Sequence, residues 1–172
     1  MSLAKEVIIE EYKLEWNEKF EHEKARIRLA LRDKTVFIEH IGSTSINGSP
    51  SKPILDIAVG LNELSEANSF IEPLRAIGYE YVPKEDFPSR RFFRKGEWRK
   101  GTHHLHVYEI NSDEWNNNLL FRNYLRSHPE KVQEYTHLKK QLASLYAEDR
   151  VTYTKMKAPF IQSIIELAKQ NI

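Results

Sequence analysis

The chain has 172 residues, 40% hydrophobic and 30% charged, with a formal net charge of +1. That length supports one hydrophobic core with a helical appendage, and the composition excludes a disordered chain. The absence of cysteine excludes a disulfide framework, a zinc–thiolate centre and a cysteine nucleophile. No apolar run approaches the ~20 residues of a membrane helix and no signal peptide is visible, so a cytoplasmic location away from membranes is expected. The opening Met-Ser-Leu reads as an added tag and is set aside.

Glu6–Tyr12 is short and rich in β-branched residues, which predicts a strand. Lys13–Asp33 predicts a helix whose Trp16, Phe20, Ile27 and Leu31 keep one face, Lys24 filling a gap in the row. Thr35–Gly42 and Ile54–Leu61 read as strands, the second almost wholly apolar and so buried on both faces. Ser65–Gly78 predicts a helix with Ser65 as N-cap and Gly78 closing it. Tyr79–Pro83, Arg90–Gly96 and His103–Ile110 read as further strands, with a polar break at Lys84–Ser89. From Asp113 the pattern is helical: Asp113–His128, Pro129–Asp149 and Pro159–Ile172, each proline placed near a helix start or a kink. The expected fold is α+β, one domain over residues 1–172. A mixed sheet with flanking helices occupies about 4–111, and a C-terminal helical group about 112–172.

Between the first two core strands lies "GSTSINGSPSKP", Gly42–Pro53, rich in glycine and hydroxyl side chains. Such a loop is either a spacer or a cradle for an anion. Asp56 stands in the apolar strand that follows. Its carboxylate either binds a cation or accepts hydrogen bonds from the loop's N–H groups or Lys52. The spacing resembles that of the nucleotidyltransferase fold: a Gly-Ser pair, here Gly42-Ser43, then twelve residues and an acid at Asp56. There, backbone N–H groups and the hydroxyl hold phosphates while carboxylates hold a divalent ion. Ala58, on the same strand face as Asp56, stands where a second acid is usual, so a two-metal site from this strand is not expected.

Residues 38–57, "IEHIGSTSINGSPSKPILDI", resemble the signature of the GrpB family, which has a nucleotidyltransferase-like fold. Ile46-Asn47-Gly48 replaces the usual Val-Pro-Gly. The resemblance extends through Trp16 and Phe20, "GYEYV", "RRFF", "HLHV", "FRNYLRSHPEKVQEY" and "YTKMKAPFI". It implies nucleotidyl or phosphoryl transfer to a small acceptor, with Mg²⁺ or Mn²⁺ and a nucleoside triphosphate, or a non-catalytic module that binds a nucleotide or other phosphorylated ligand. Some relatives are fused to a dephospho-coenzyme-A kinase domain. Of the family-typical Tyr135, Lys139, Tyr153 and Lys157, Lys139 is taken as a ligand contact.

His104 and His106 share a strand face, with His103 on the other. They are read as metal ligands with Asp56, as phosphate contacts, or as structural histidines. His40, next to the loop, either orients Asp56 or the ligand, or is simply packed. Catalytic roles are expected of Asp56, Lys52 and His106. Ligand contacts are expected of Gly42, Ser43, Thr44, Ser45, His40, Arg91 and Lys139. The Arg-rich "SRRFFRKGEWRKG" also fits a nucleic-acid adaptor. With net charge near zero that reading ranks last, and nucleic acid is not expected as a partner. The sequence leaves the oligomeric state open.

Overall fold

The computed structural model describes residues 6–32, 34, 36–97 and 100–171. The tag reading at Met1–Leu3 and the predicted ends at Asp33, Thr35 and Ile172 lie outside these residues. Helix α1 (Glu15–Ala30) buries Trp16, Phe20 and Ile27, the stripe expected from the 3–4 spacing, and also Glu23. Strands β1 (Phe37–Ile41), β2 (Leu55–Leu61), β3 (Tyr79–Val82), β4 (Arg90–Glu97) and β5 (Lys100–Glu109) form one sheet in the order β1-β2-β5-β4-β3. Only β2 and β5 are parallel neighbours; the other three pairs are antiparallel. β2 is interior, as its continuous apolar run predicts, and β5 is the central strand.

The period of two in these strands separates two faces. On one, Ile57, Val59, Leu105, Val107 and Phe93 pack against Phe20 and Ile27 of α1 and Leu74 of α2 (Ile71–Ala76), forming the main core. On the other, Ile41, Ala58 and Tyr108 receive Trp115 of α3 (Asp113–Arg126). Gly60 permits that approach, since a Cβ there would stand 2.9 Å from the Trp115 ring. Helix α3 packs with α4 (Pro129–Leu145) and α5 (Arg150–Gln170) around Phe121, Leu125, Tyr135 and Ile164. Ile46, from the loop between β1 and β2, is inserted into this second core and is fully buried. The loop is thus clamped between sheet and helices. The α+β arrangement expected from the sequence, a mixed sheet with flanking helices and a C-terminal helical group, is what the chain adopts.

Three elements differ from the sequence reading. Glu6–Tyr12 is not a strand; it makes one bridge, Glu10 with Ser51, and its Val7 packs on Leu142 and Tyr153. The predicted helix at Ser65–Gly78 is a 3₁₀ turn over Leu64–Phe70 followed by α2, and Ser65 caps nothing. Pro73 explains the break, because it cannot donate to the carbonyl of Ser69 and its ring crowds that carbonyl. Gly78 follows α2 at φ 102°, a glycine conformation, as expected. Helix α5 starts at Arg150, nine residues before Pro159, because Asp149 accepts from the Thr152 N–H and caps it. Pro159 sits inside and removes one donor. Among the described residues no helix is long and apolar enough to cross a membrane.

Candidate functional site

Asp56 is the second residue of β2, and its position in the register turns it toward the helical side of the sheet, beside His104 of β5. There a cleft of about 320 Å³ opens between the loop and α3, α4 and α5, lined by Gly42, Ser43, Asp56, Glu114, Tyr135 and Lys157 among others. Gly42 has φ 72° and ψ −174°, a combination nearly restricted to glycine. A Cβ on it would fall 2.7 Å from Asp56 Oδ2. The loop therefore closes directly onto the carboxylate.

Asp56 Oδ1 lies 3.3 Å from His106 Nε2 and 3.6 Å from His104 Nδ1. The other nitrogen of His106, Nδ1, lies 3.2 Å from Arg90 Nη1. A guanidinium only donates, so Nδ1 accepts and the His106 proton sits on Nε2, where it is donated to Asp56. The result is a chain, Arg90 to His106 to Asp56. Burial works against charge on Asp56, but the imidazoles of His104 and then His106 outweigh it and hold the carboxyl well below the usual range. Among the described residues Arg90 Nε is buried with no hydrogen-bond partner, and its guanidinium carbon lies 4.6 Å from the Phe87 ring centre.

The structure brings together Gly42, Ser43, Asp56, His104 and His106 from the expected set. Thr44 and Ser45 are each 1% exposed and turn inward. Thr44 Oγ1 meets His40 Nε2 at 2.8 Å, and Ser45 Oγ donates to the Gly42 carbonyl at 2.5 Å. They shape the loop rather than face the cleft. His40 is on the opposite sheet face, stacked on Phe20 at 4.6 Å, so it does not orient Asp56. Burial and then Arg126 push its pKa down to about 4. Arg91 alternates away from Asp56 and donates to the Pro88 carbonyl; its neighbour Arg90 holds the facing position. Lys139 is 1% exposed and donates to Ser49 Oγ at 2.7 Å and to the Pro50 carbonyl, bracing the loop from behind. Lys52 does not line the Asp56 cleft; it lines an adjacent groove with Arg150 and Lys100.

The metal reading of Asp56, His104 and His106 also changes. Among the described residues no group of three or more His, Cys, Asp or Glu is arranged to hold a metal ion. His106 presents a proton, not a lone pair, to Asp56. Arg94 of the Arg-rich strand is spent on Glu80, at 3.4 Å, and on the Glu97 carbonyl, at 2.9 Å. Residues absent from the expected set also face the site: Arg90, missed by one register position, Lys157 and Tyr135, seen in the sequence but passed over for Lys139, and Glu114 and Asn118 of α3.

The chain is similar to known proteins across most of its length. It is 38% identical to the UPF0157 protein YqkA of Bacillus subtilis over 92% of the chain, and spans 46% of that protein's length. It superposes on the crystal structure of the conserved protein GrpB from Enterococcus faecalis with a TM-score of 0.87, at 38% identity, covering 95% of this chain and 98% of that one. A more distant likeness, to the Cid1 poly(U) polymerase bound to MgATP, has a TM-score of 0.57 at 16% identity. It covers 79% of this chain and 44% of that one, and shows the shared nucleotidyltransferase-type fold alone. The family model described as GrpB protein matches residues 6–167, and the chain belongs to the GrpB family.

Proposed function

We propose that the Asp56 cleft binds a phosphorylated small molecule, with a nucleoside triphosphate as the expected ligand, and supports transfer of its phosphoryl or nucleotidyl group to a small acceptor. The observation that carries this reading is the convergence of Gly42, Ser43, Asp56 and Lys157 on one cleft. Glycine lets a phosphate approach the backbone, Ser43 supplies a hydroxyl, and Lys157 supplies positive charge. The oxygen donors suit a hard ion that arrives with its phosphates: Asp56 and Ser43 would hold Mg²⁺ or Mn²⁺, which would neutralise charge on the transferred group. His106 keeps Asp56 aimed and ionised. Nucleic acid and membrane have no part in this proposal.

Calorimetric titration with ATP and Mg²⁺ or Mn²⁺ tests it. Wild type is expected to bind, and Asp56→Asn to lose the dependence on the ion. No binding with either ion, or an unchanged Asp56→Asn, would sink the reading. Ala58 favours a second reading, a binding module without turnover, because β2 offers only one acid on this face. That reading takes over if ATP binds but no acceptor from a panel of alcohols, amines and phosphates is modified.

A further inference from the structure

We infer that the groove along the outer edge of β1 is a second binding site, shaped for a small organic carboxylate. It lies between α1 and α3 and offers about 450 Å³, a volume in the range of small-molecule sites. Among the described residues it shares no lining side chain with the Asp56 cleft. β1 ends the sheet on this side, so helices rather than a further strand flank its edge. Lys24 of α1 and Arg122 and Arg126 of α3 line the groove, with Asn17 of α1 and Asn47 of the loop.

The two guanidiniums are in different states. Arg122 is buried and engaged: its Nη1 donates to Glu39 Oε2 at 2.6 Å and to the His40 carbonyl at 3.0 Å. Arg126 spends only Nε, on the Ser45 carbonyl at 2.9 Å. Among the described residues its Nη1 and Nη2 have no hydrogen-bond partner, and neither Arg126 nor Lys24 has a carboxylate within 4.0 Å. Burial and then the neighbouring Arg122 lower Arg126 from the usual guanidinium range, with Glu39 opposing. Arg126 is thus a guanidinium fixed at one nitrogen, repelled by its neighbour and open at its end. Two terminal N–H groups in a fixed fork match the two oxygens of a carboxylate.

The amides of the groove are held ready. The Tyr12 hydroxyl donates to Asn47 Oδ1 and accepts from Asn17 Nδ2, both at 2.9 Å, and the Trp16 ring stands edge-on to Tyr12. Among the described residues Asn47 Nδ2 and Asn17 Oδ1 have no partner, a donor and an acceptor for a hydroxyl on the ligand. The stacked rings of Phe20 and His40 give an apolar wall for its carbon atoms. Lys24, Arg122 and Arg126 stand here against Glu21 and Glu39, three cations to two carboxylates. The single excess charge balances one carboxylate and does not suit a polyanion. Asn47, and Ser45 through Arg126, belong to the loop that closes on Asp56, so a ligand in the groove rests on the back of that loop.

The test is an NMR titration of the full chain with lactate, glycerate and glucuronate, reading the side-chain amide signals of Asn17 and Asn47. Lactamide and glucose serve as uncharged controls. At least one of the three carboxylates is expected to shift both signals and saturate, with neither control doing so. Arg126→Gln is expected to weaken that carboxylate about tenfold. Lys24→Gln, which leaves Arg126 on Ser45, is expected to weaken it about threefold, and this separates lost charge from a loosened loop. Asp56→Asn is expected to bind it as wild type does. No saturable shift with any of the three, an equal response to lactamide, or wild-type affinity in both Arg126→Gln and Lys24→Gln would overturn the inference. ATP binding at the Asp56 cleft stands or falls separately.

Discussion

A Cβ placed on Gly42 would stand 2.7 Å from Oδ2 of Asp56 and 3.0 Å from its Cβ. The loop and the carboxylate are therefore one unit, and the glycine does two jobs. It adopts φ 72° with ψ −174°, which side-chain-bearing residues avoid at a cost of about 1–3 kcal/mol. It also leaves the carboxylate room to face the cleft. Gly42→Ala is expected to lower stability by at least that amount and to displace Asp56. Thermal unfolding and ATP titration on the same variant check this. A variant that melts like wild type and binds ATP unchanged would show that the loop yields without disturbing Asp56.

The chain from Arg90 through His106 to Asp56 makes a second expectation concrete. His106→Leu removes the donor to Asp56 and the acceptor for Arg90. The loss at neutral pH is expected to be about 1.5 kcal/mol, the low end for a hydrogen bond to a charged group. A third of the Asp56 side chain is exposed, at 33%, which weakens the interaction. Because the folded-state pKa of Asp56 lies below its unfolded value, its contribution is fully present above the ordinary carboxylate range and is lost as pH falls from that range through the lower folded-state pKa. Denaturant curves of wild type and variant should therefore converge on acidification. Carbon NMR of the Asp56 carboxyl should show it titrating higher in His106→Leu. A fixed gap between the two curves at every pH would count against the relay.

Much of this site was legible because its chemistry is local in sequence. The spacing from Gly42-Ser43 to Asp56 and the period of two that puts His104 beside His106 are both chain-level patterns. What escaped was which way each neighbour turned. Arg90 and Arg91 are interchangeable in composition, yet the pairing of Phe92 with His106 across the β4–β5 ladder assigns the facing side to Arg90. No pattern in β4 alone sets that register. Lys139 and Lys157 are both lysines on amphipathic helices, and the packing of α4 against the back of the loop buries one and leaves the other at the cleft. Pro73 was the readable sign against a continuous helix at Ser65–Gly78, since its ring excludes an unbroken turn.

His40 gives the protein an acid sensitivity independent of the cleft. It is 4% exposed, stacks on Phe20 and holds Thr44 of the loop. Its pKa falls to about 4 in the fold, against 6.5 when free. The unfolded chain takes up this proton first, so the stability is present above pH ~6.5 and is lost as pH falls toward ~4. The full loss is about 3 kcal/mol. His103, lowered by burial, leans the same way. His40→Gln should flatten the slope of stability with pH over this range, read from urea unfolding at several pH values. An unchanged slope would assign the sensitivity elsewhere.

Lys139 completes the account of the loop. Its ammonium donates to Ser49 Oγ and the Pro50 carbonyl, and Ser49 is fully buried. Lys139→Met would leave both acceptors in an apolar setting, at a cost of about 2–4 kcal/mol for the pair. The pH dependence has the same sense as that of His40, in a higher pH window. With Lys139 lowered to about 7 from 10.5, the folded chain gives up the proton first, so stability rises between those two pH values. Lys52, lowered to about 8, adds to the same rise. In Lys139→Met the rise should shrink to the part due to Lys52 and its neighbours, as urea unfolding at pH 7 and pH 9 would show. A brace and a ligand contact separate here. If Lys139→Met kept wild-type stability at both pH values and lost only affinity for ATP, the lysine would be reaching the ligand, and the loop would be held by Ile46 in the helical core.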